Sequence, residues 1–587
     1  MLHGMSVRVA LVPALVLSLA AGPTLLRAQA PAELPGVTIR TNTRLVVVDV
    51  VVTDKKGQPV TGLKAEDFTV EENGKKQKTS VFVPPGITNQ TAPTEAPPGI
   101  LSNHPENVRP KGIPTLLLLD ATNSPFKDQS YARSQMLKYV LEQGQSGHSM
   151  AVLTLTDQLR VLQQFTSDPQ MLMRAIKNLR PQEQVLASAG PVPESHAVAS
   201  GVGHLGGGGN AANATVAVVT AAAQSFADLQ VAYSQERRTL ITIEAMKSLS
   251  QMLGGLPGRK NVVWLTASLP FDLIPEDRNV SDAELTADLP SIRQKSIGTI
   301  TAGELASQQR QLHGQEIKEA ETQLASANVA IYPVDLLGLM SGMESSASRQ
   351  GSVSHDTAIS DVSLSQVSSQ QSSHGTMEEV AAQTGGKAYF NQNEIKDGIS
   401  LAVSDEKASY TLGYYPENKK WDGKLRNIKV KVDQGDTQLR YRKGYFAIDP
   451  APSKDHGFEQ EVATALEFNA PATQVSFMAQ AKPMDPGKVR VVFLVDARTV
   501  SAEDASGGKK LNVSLYATVY NSAGKMLANR SIKVDRAFDA ATYQQILDKG
   551  MMVPIDLEIP SGGNQLRLAV LDNKTGLIGT VSGPLGQ

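Results

Sequence analysis

The chain contains no cysteine. That excludes disulfides, thiol catalysis, cysteine–zinc sites and lipid attachment to an N-terminal cysteine. Its nine histidines include no His-x-x-x-His pair, so zinc hydrolases have no support. Charge of one sign is also lacking. The formal net charge is −2 and charged residues make up 19% of the chain, which argues against a polyanion partner. There is no Gly-x-Ser-x-Gly phrase, and no Gly-Lys-Ser/Thr follows the glycine run Gly206 to Gly209. Nucleophile elbows and phosphate loops are therefore missing. Long apolar runs are missing too. Val9 to Ala21 is the longest, and it is too short to span a bilayer comfortably.

That short run has a different use. With Arg8 before it and Ala28-Gln29-Ala30 after it, residues 1–30 read as a signal peptide. Pro31 disfavours a cut after Ala30, so cleavage after Ala28 is the alternative, and uncleaved anchoring is a third reading. The expectation is an exported protein, periplasmic or extracellular, with no transmembrane segment after cleavage. Its 587 residues suffice for about three or four domains.

The chain is organised around Pro114 to Ser124, PTLLLLDATNS. Four leucines running into an aspartate suit a strand buried on both faces, with Asp120 at its carboxyl end. Ligands gather at that end in open α/β sheets. Asp120, Thr122 and Ser124 offer one carboxylate and two hydroxyls at alternate positions. These hard oxygens suit Mg²⁺, Mn²⁺ or Ca²⁺ rather than zinc. The bland alternative is a polar turn in which Asp120 caps the next helix.

Around this strand, residues 113–408 alternate strand and helix, the pattern of a doubly wound, mostly parallel sheet. The helix after Asp120 is expected from Asp128 to Gln143, with Tyr131, Leu137, Val140 and Leu141 on its apolar face. A helix carrying Leu240, Ile243, Met246, Leu249 and Leu253 stops at Gly254-Gly255. Two stretches, 181–226 and 341–375, are biased in composition and read as flexible insertions. Before this domain, residues 36–84 form a small β unit. It contains the valine-rich run Leu45 to Val52 and a hairpin at Asn73-Gly74. Residues 85–112 are proline-rich and read as a linker that either floats or lies along a neighbour. Residues 409–448 return to β structure, with strands expected over Leu425 to Val432 and Gln438 to Phe446. They are positioned to pair with residues 36–84, which would make the α/β domain an insertion. Residues 449–460 are a second linker. Residues 461–587, with evenly spaced short strands, read as an immunoglobulin-like or fibronectin-like β-sandwich.

Several phrases carry a family resemblance: VVVTDKKGQPVTGLKAEDFTVEENGKKQ, LITIEAMKSLSQMLGGLPGRKN and YTLGYYPENKKWDGKLRNIKVKV. They resemble bacterial, Acidobacteria-type proteins related to von Willebrand factor A (vWA) domains. The vWA metal-ion-dependent adhesion site begins Asp-x-Ser-x-Ser, which Asp120, Thr122 and Ser124 match with one Ser-to-Thr change. The resemblance implies a metal (Mg²⁺, or Mn²⁺ or Ca²⁺) held by Asp120, Thr122, Ser124 and Thr242, with Thr239 as the fallback for Thr242. It also implies a protein partner whose Asp or Glu completes the metal shell, in adhesion or assembly and without bond chemistry. The third loop departs from the pattern, because Ala267 stands at the acidic position. Asp272 or Asp335 would have to substitute. A metal-independent envelope scaffold is therefore the alternative, and a hydrolase the remote one.

Overall fold

The computed structural model describes residues 45–86, 96–97, 99–105, 113–143, 148–181, 233–270, 302–337, 373–390, 394–447 and 458–585. The leader expected at residues 1–30 and almost all of both insertions lie outside them. The chain has mixed α/β architecture with several sheets.

The central sheet has five strands. In spatial order they are Val329–Asp335, Lys260–Thr266, Thr115–Asp120, Met150–Leu155 and Leu159–Thr166. The first four run parallel and Leu159–Thr166 is antiparallel at the edge. Every residue of Thr115–Asp120 is buried, because helices cover both faces. Leu117 and Leu119 meet Ala132, Met136 and Val140 of the Phe126–Gln143 helix, together with Ile176 and Ile399. Leu116 and Leu118 meet Ile243, Met246, Leu249 and Leu253 of the 233–253 helix, together with Leu324 and Val380. The expected apolar face of the Phe126–Gln143 helix is rotated. Tyr131 and Leu141 are exposed, while Met136 and Tyr139 are buried. Both stripes keep helical spacing, and the side on which the sheet lies chooses between them.

Strands from both sides of this domain combine in two four-stranded sheets. Val46–Asp54 lies between Ser409–Tyr414 and Thr437–Arg440, and Leu425–Val432 pairs with Phe68–Glu72. The two sheets share a core of Val48, Val50, Phe68, Tyr410, Leu412, Tyr414 and Val430. The strand expected from Gln438 to Phe446 is in fact two, Thr437–Arg440 and Gly444–Phe446, one in each sheet. Residues 441–443 carry the chain between them. Inside this core the Tyr414 and Tyr445 hydroxyls each donate to Glu72 Oε2 at 2.9 Å, and Arg426 pairs with Glu72 at 3.3 Å. Tyr410 and Tyr414 of the tyrosine-rich phrase are thus used internally, while Tyr415 is exposed.

Beyond residue 458 the helix Glu459–Glu467, which starts inside the expected second linker, is followed by two more sheets. These share one apolar core that includes Phe477, Phe493, Leu515, Ile555 and Leu568. Residues 85–112 are not linker throughout, for they contain the strand Ile100–Ser102, paired antiparallel with Phe477–Pro483. Buried Asn103 fixes it. Its Nδ2 donates to Ala472 O and Val475 O at 2.7 and 2.9 Å, and its Oδ1 accepts from Phe477 N at 2.8 Å. No described helix is long and apolar enough to cross a membrane.

The LPGRKN phrase lies at the opposite end of the sheet from Asp120. The Arg259 guanidinium donates to the Tyr332 hydroxyl (2.9 Å) and to Gly385 O (2.7 Å). Tyr332 donates to Asp405, which Arg440 also binds. This chain of charges and hydroxyls ties the α/β domain to the Thr437–Arg440 strand.

Candidate site at the carboxyl rim of the sheet

The chain runs outward from Thr115–Asp120 through two strands on one side. It then returns to place Lys260–Thr266 on the other. Asp120 therefore sits where the strand order reverses, the usual place for a ligand in such sheets.

Asp120 is fully buried. Its Oδ1 accepts from Asn123 N at 2.9 Å. Its Oδ2 accepts from Asn123 Nδ2 at 2.9 Å and Trp264 Nε1 at 3.0 Å, and lies 3.1 Å from Thr266 Oγ1. Burial pushes the carboxyl above its ordinary value, and the Asn123, Trp264 and Thr266 bonds oppose that shift. Ser124 is also buried, and its Oγ accepts from Ala267 N at 3.0 Å. Thr242 is buried as well. Its hydroxyl donates to Arg238 O at 2.8 Å and accepts from Asn123 Nδ2 at 3.1 Å.

The fold thus brings Asp120, Ser124 and Thr242 into one network and leaves Thr122 outside it. Thr122 Oγ1 turns to the carbonyls of Leu155 and Thr156, at the end of the neighbouring strand. Thr239 points elsewhere too, donating toward Gln235 O and Pro270 O. Of the proposed substitutes for the missing acid, Asp272 lies outside the described residues. Asp335 is engaged locally, with Leu337 N on Oδ1 at 2.8 Å and His374 Nε2 at 2.9 Å from Oδ2.

Four residues of this network carry no metal-site signature in the sequence: Asn123, Arg238, Trp264 and Thr266. Asn123 occupies a variable position of the Asp-x-Thr-x-Ser phrase, yet its amide joins Asp120 to Thr242. Burial lowers the Arg238 guanidinium below its usual value, and the nearby Asp120 carboxylate opposes that shift.

These side chains, as folded, do not fit a divalent ion. The amide of Asn123 joins the two groups that would share the ion, one expected hydroxyl faces away, and the carboxylate already has four donors around it. Among the described residues no group of three or more His, Cys, Asp or Glu is placed to hold a metal.

No family model matches the chain, and no curated protein matches it in sequence. Solved structures give similarities of low score. An aerotolerance-related membrane protein from Bacteroides fragilis is 10% identical, covering 50% of this chain and all of that one, with a TM-score of 0.24. A von Willebrand factor type A protein from Catenulispora acidiphila is 8% identical, covering 81% and 65%, with a TM-score of 0.18. The pilus adhesin SpaC from Lactobacillus rhamnosus GG is 8% identical, covering 90% and 59%, with a TM-score of 0.23. Scores this low carry no argument about this chain. The site rests on the strand order and side chains described above.

Proposed function

We propose that the chain is an exported protein-binding module of the vWA kind, used in adhesion or envelope assembly, which engages its partner at the carboxyl rim around Asp120. The immunoglobulin-like or fibronectin-like reading of the C-terminal sheets makes that part a spacer or second contact surface. One observation carries the rim assignment. Two large aromatics stand exposed at the same end of the sheet as the buried polar network. Phe126 opens the helix after Ser124-Pro125 and is 51% exposed. Tyr233, on the 233–253 helix, is 63% exposed. Exposed aromatics beside a rigid polar centre are the usual anchors of a protein interface. The polar network underneath holds the loop in one conformation, which lowers the ordering cost of binding. The reading is one of recognition, without bond chemistry.

The test places a photo-crosslinking residue at Phe126 or Tyr233, with exposed Met552 of the C-terminal sheet as control. Supporting the proposal requires one discrete adduct from both rim positions, absent from Met552, in producing cells. Equal labelling from all three positions, or adducts from Met552 alone, would move the binding face away from the rim.

A further inference from the structure

The C-terminal sheets leave one long edge open. The strand Met526–Asp539 runs for 14 residues and pairs antiparallel with Gly508–Tyr520 along one side. No described strand or loop bonds to the backbone on its other side. None of its residues is buried. Ile532, Val534 and Phe538 lean on the core from the inner face, while Asn529, Ser531, Lys533, Asp535 and Ala537 stand exposed on the outer face.

Every other edge strand of seven or more residues is blocked. Asn469 caps Leu159–Thr166, giving its Nδ2 to Val161 O at 2.9 Å and accepting from Val161 N at 3.0 Å. Tyr389 covers Val329–Asp335, donating its N–H to Pro333 O at 2.9 Å and accepting from Asp335 N at 3.0 Å. Ile578–Pro584 is tied to residues 472–475, with Thr580 N on Ala472 O at 2.9 Å and Val475 N on Ile578 O at 3.3 Å. Met551–Glu558 carries Pro554, a residue that blunts an edge. An unblocked edge as long as Met526–Asp539 is a template for one more strand.

The charges along it say which strand fits. Pairing with a second copy about a two-fold axis normal to the sheet keeps inner face beside inner face, so the axis passes through one residue and its own copy. Centred on Lys533, the edge would set Lys533 against itself and Arg530 against Arg536. Centred on Asp535, it would set two carboxylates together. Centred on Ile532, Lys533 and Asp535 would meet only Ser531 and Asn529. Centred on Val534, Lys533 of each copy faces Asp535 of the other. Arg530 then faces Phe538 and Arg536 faces Ile532, so no like charges are opposed. Within one chain Asp535 pairs with Lys510 at 2.8 Å, while no described carboxylate pairs with Lys533. A second copy would extend that pair into an alternating row of Lys510, Asp535 and Lys533.

We propose that this edge is a homodimer interface, in which Met526–Asp539 pairs antiparallel with the same strand of a second copy in the register centred on Val534. The sheet then continues from one chain into the other. Backbone hydrogen bonds, about one for each overlapping residue, supply the strength. The exposed Lys533–Asp535 pairs add little energy and serve to fix the register. The contact is independent of what the Asp120 rim binds.

The test is sedimentation velocity of the full mature chain over a concentration series reaching the sub-millimolar range, because one edge contact is a small interface. Wild type should shift from monomer toward twice the mass. Lys533→Asp opposes carboxylates across the axis, Asp535→Lys opposes ammonium groups, and each alone should stay monomeric. An equimolar mixture of the two variants restores both opposite-charge pairs and should recover the dimer. Circular dichroism checks that each variant, changed at an exposed position, is folded. A wild type that stays monomeric throughout would overturn the proposal and leave the charges as guards that keep the edge solvated. So would a dimer that either variant retains, which would place the interface elsewhere, or a mixture that stays monomeric while wild type dimerises.

Discussion

Replacing Gly255 by alanine tests how the C-terminal part is fastened to the α/β domain. Gly255 follows the 233–253 helix and packs against the backbone of Thr473. A Cβ there would lie 1.8 Å from Thr473 O and 2.5 Å from Thr473 C. Backbone cannot rotate away as a side-chain tip can, so the two segments must separate. Three hydrogen bonds cross this contact: Gly255 N to Thr473 Oγ1, Thr473 Oγ1 to Met252 O, and Thr473 N to Gln251 O, each 2.9 Å. At roughly 1 kcal/mol net apiece, their loss costs about 3 kcal/mol. Loosening of neighbouring Ala470, which is buried in the α/β core, adds to that. The control is Gly435→Ala, where an added Cβ meets nothing within 4 Å. Urea unfolding followed by circular dichroism and limited proteolysis reads the outcome. Gly255→Ala should unfold earlier, in two separated transitions, and be cleaved faster than the control. A Gly255→Ala chain within about 0.5 kcal/mol of the control, the usual range for inert substitutions, would refute the reasoning.

Other substitutions have defined signs. Trp264→Phe keeps most of the buried ring volume but removes the indole N–H from Asp120. It should cost about 1.5–3 kcal/mol in denaturant unfolding, the worth of a hydrogen bond to a charged group. Lys260 is buried with its ammonium on Leu256 O, and burial lowers it to about 7. The unfolded chain then binds more protons than the folded one between about pH 7 and 10, so wild-type stability should rise with pH there; Lys260→Met should flatten that rise. Glu321 runs the other way: burial, with the Glu379 carboxylate near it, raises it to about 8. Its neutral form belongs to the fold, and stability from this group is lost as pH climbs from about 4.5 to 8. Glu321→Gln should therefore melt higher than wild type at pH 8 and equal to it near pH 4, by calorimetric scans across that range.

What the sequence made legible were features set by local pattern. Leu116 to Leu119 running into Asp120 demanded a strand buried on both faces. Asn73-Gly74 demanded a tight turn, and both residues take positive φ, 48° and 79°. The 233–253 helix followed from its 3.6-residue spacing. Features that depend on distant partners were hidden. Ile100–Ser102 is only three residues long, and its partner residues lie 376 to 380 positions away (478 − 102 and 480 − 100). Gly254-Gly255 reads as a helix stop, and its closeness to Thr473 has no local sign. The same limit governed the site. Spacing placed Asp120, Thr122 and Ser124 on one loop but could not say which way each turns. The carbonyls of Leu155 and Thr156 hold the Thr122 hydroxyl at the neighbouring strand end, and Asn123 takes the inner position instead. Ala267 was the one departure visible in sequence that pointed to this outcome.

The most direct measurement is a calorimetric titration of Mg²⁺, Mn²⁺ and Ca²⁺ into purified residues 31–587, beside Asp120→Ala. An Asp120 whose oxygens are taken by Asn123, Trp264 and Thr266 predicts only heats of dilution for both proteins. Saturable binding near one equivalent in the native chain, abolished in Asp120→Ala, would contradict it and restore a metal-dependent rim.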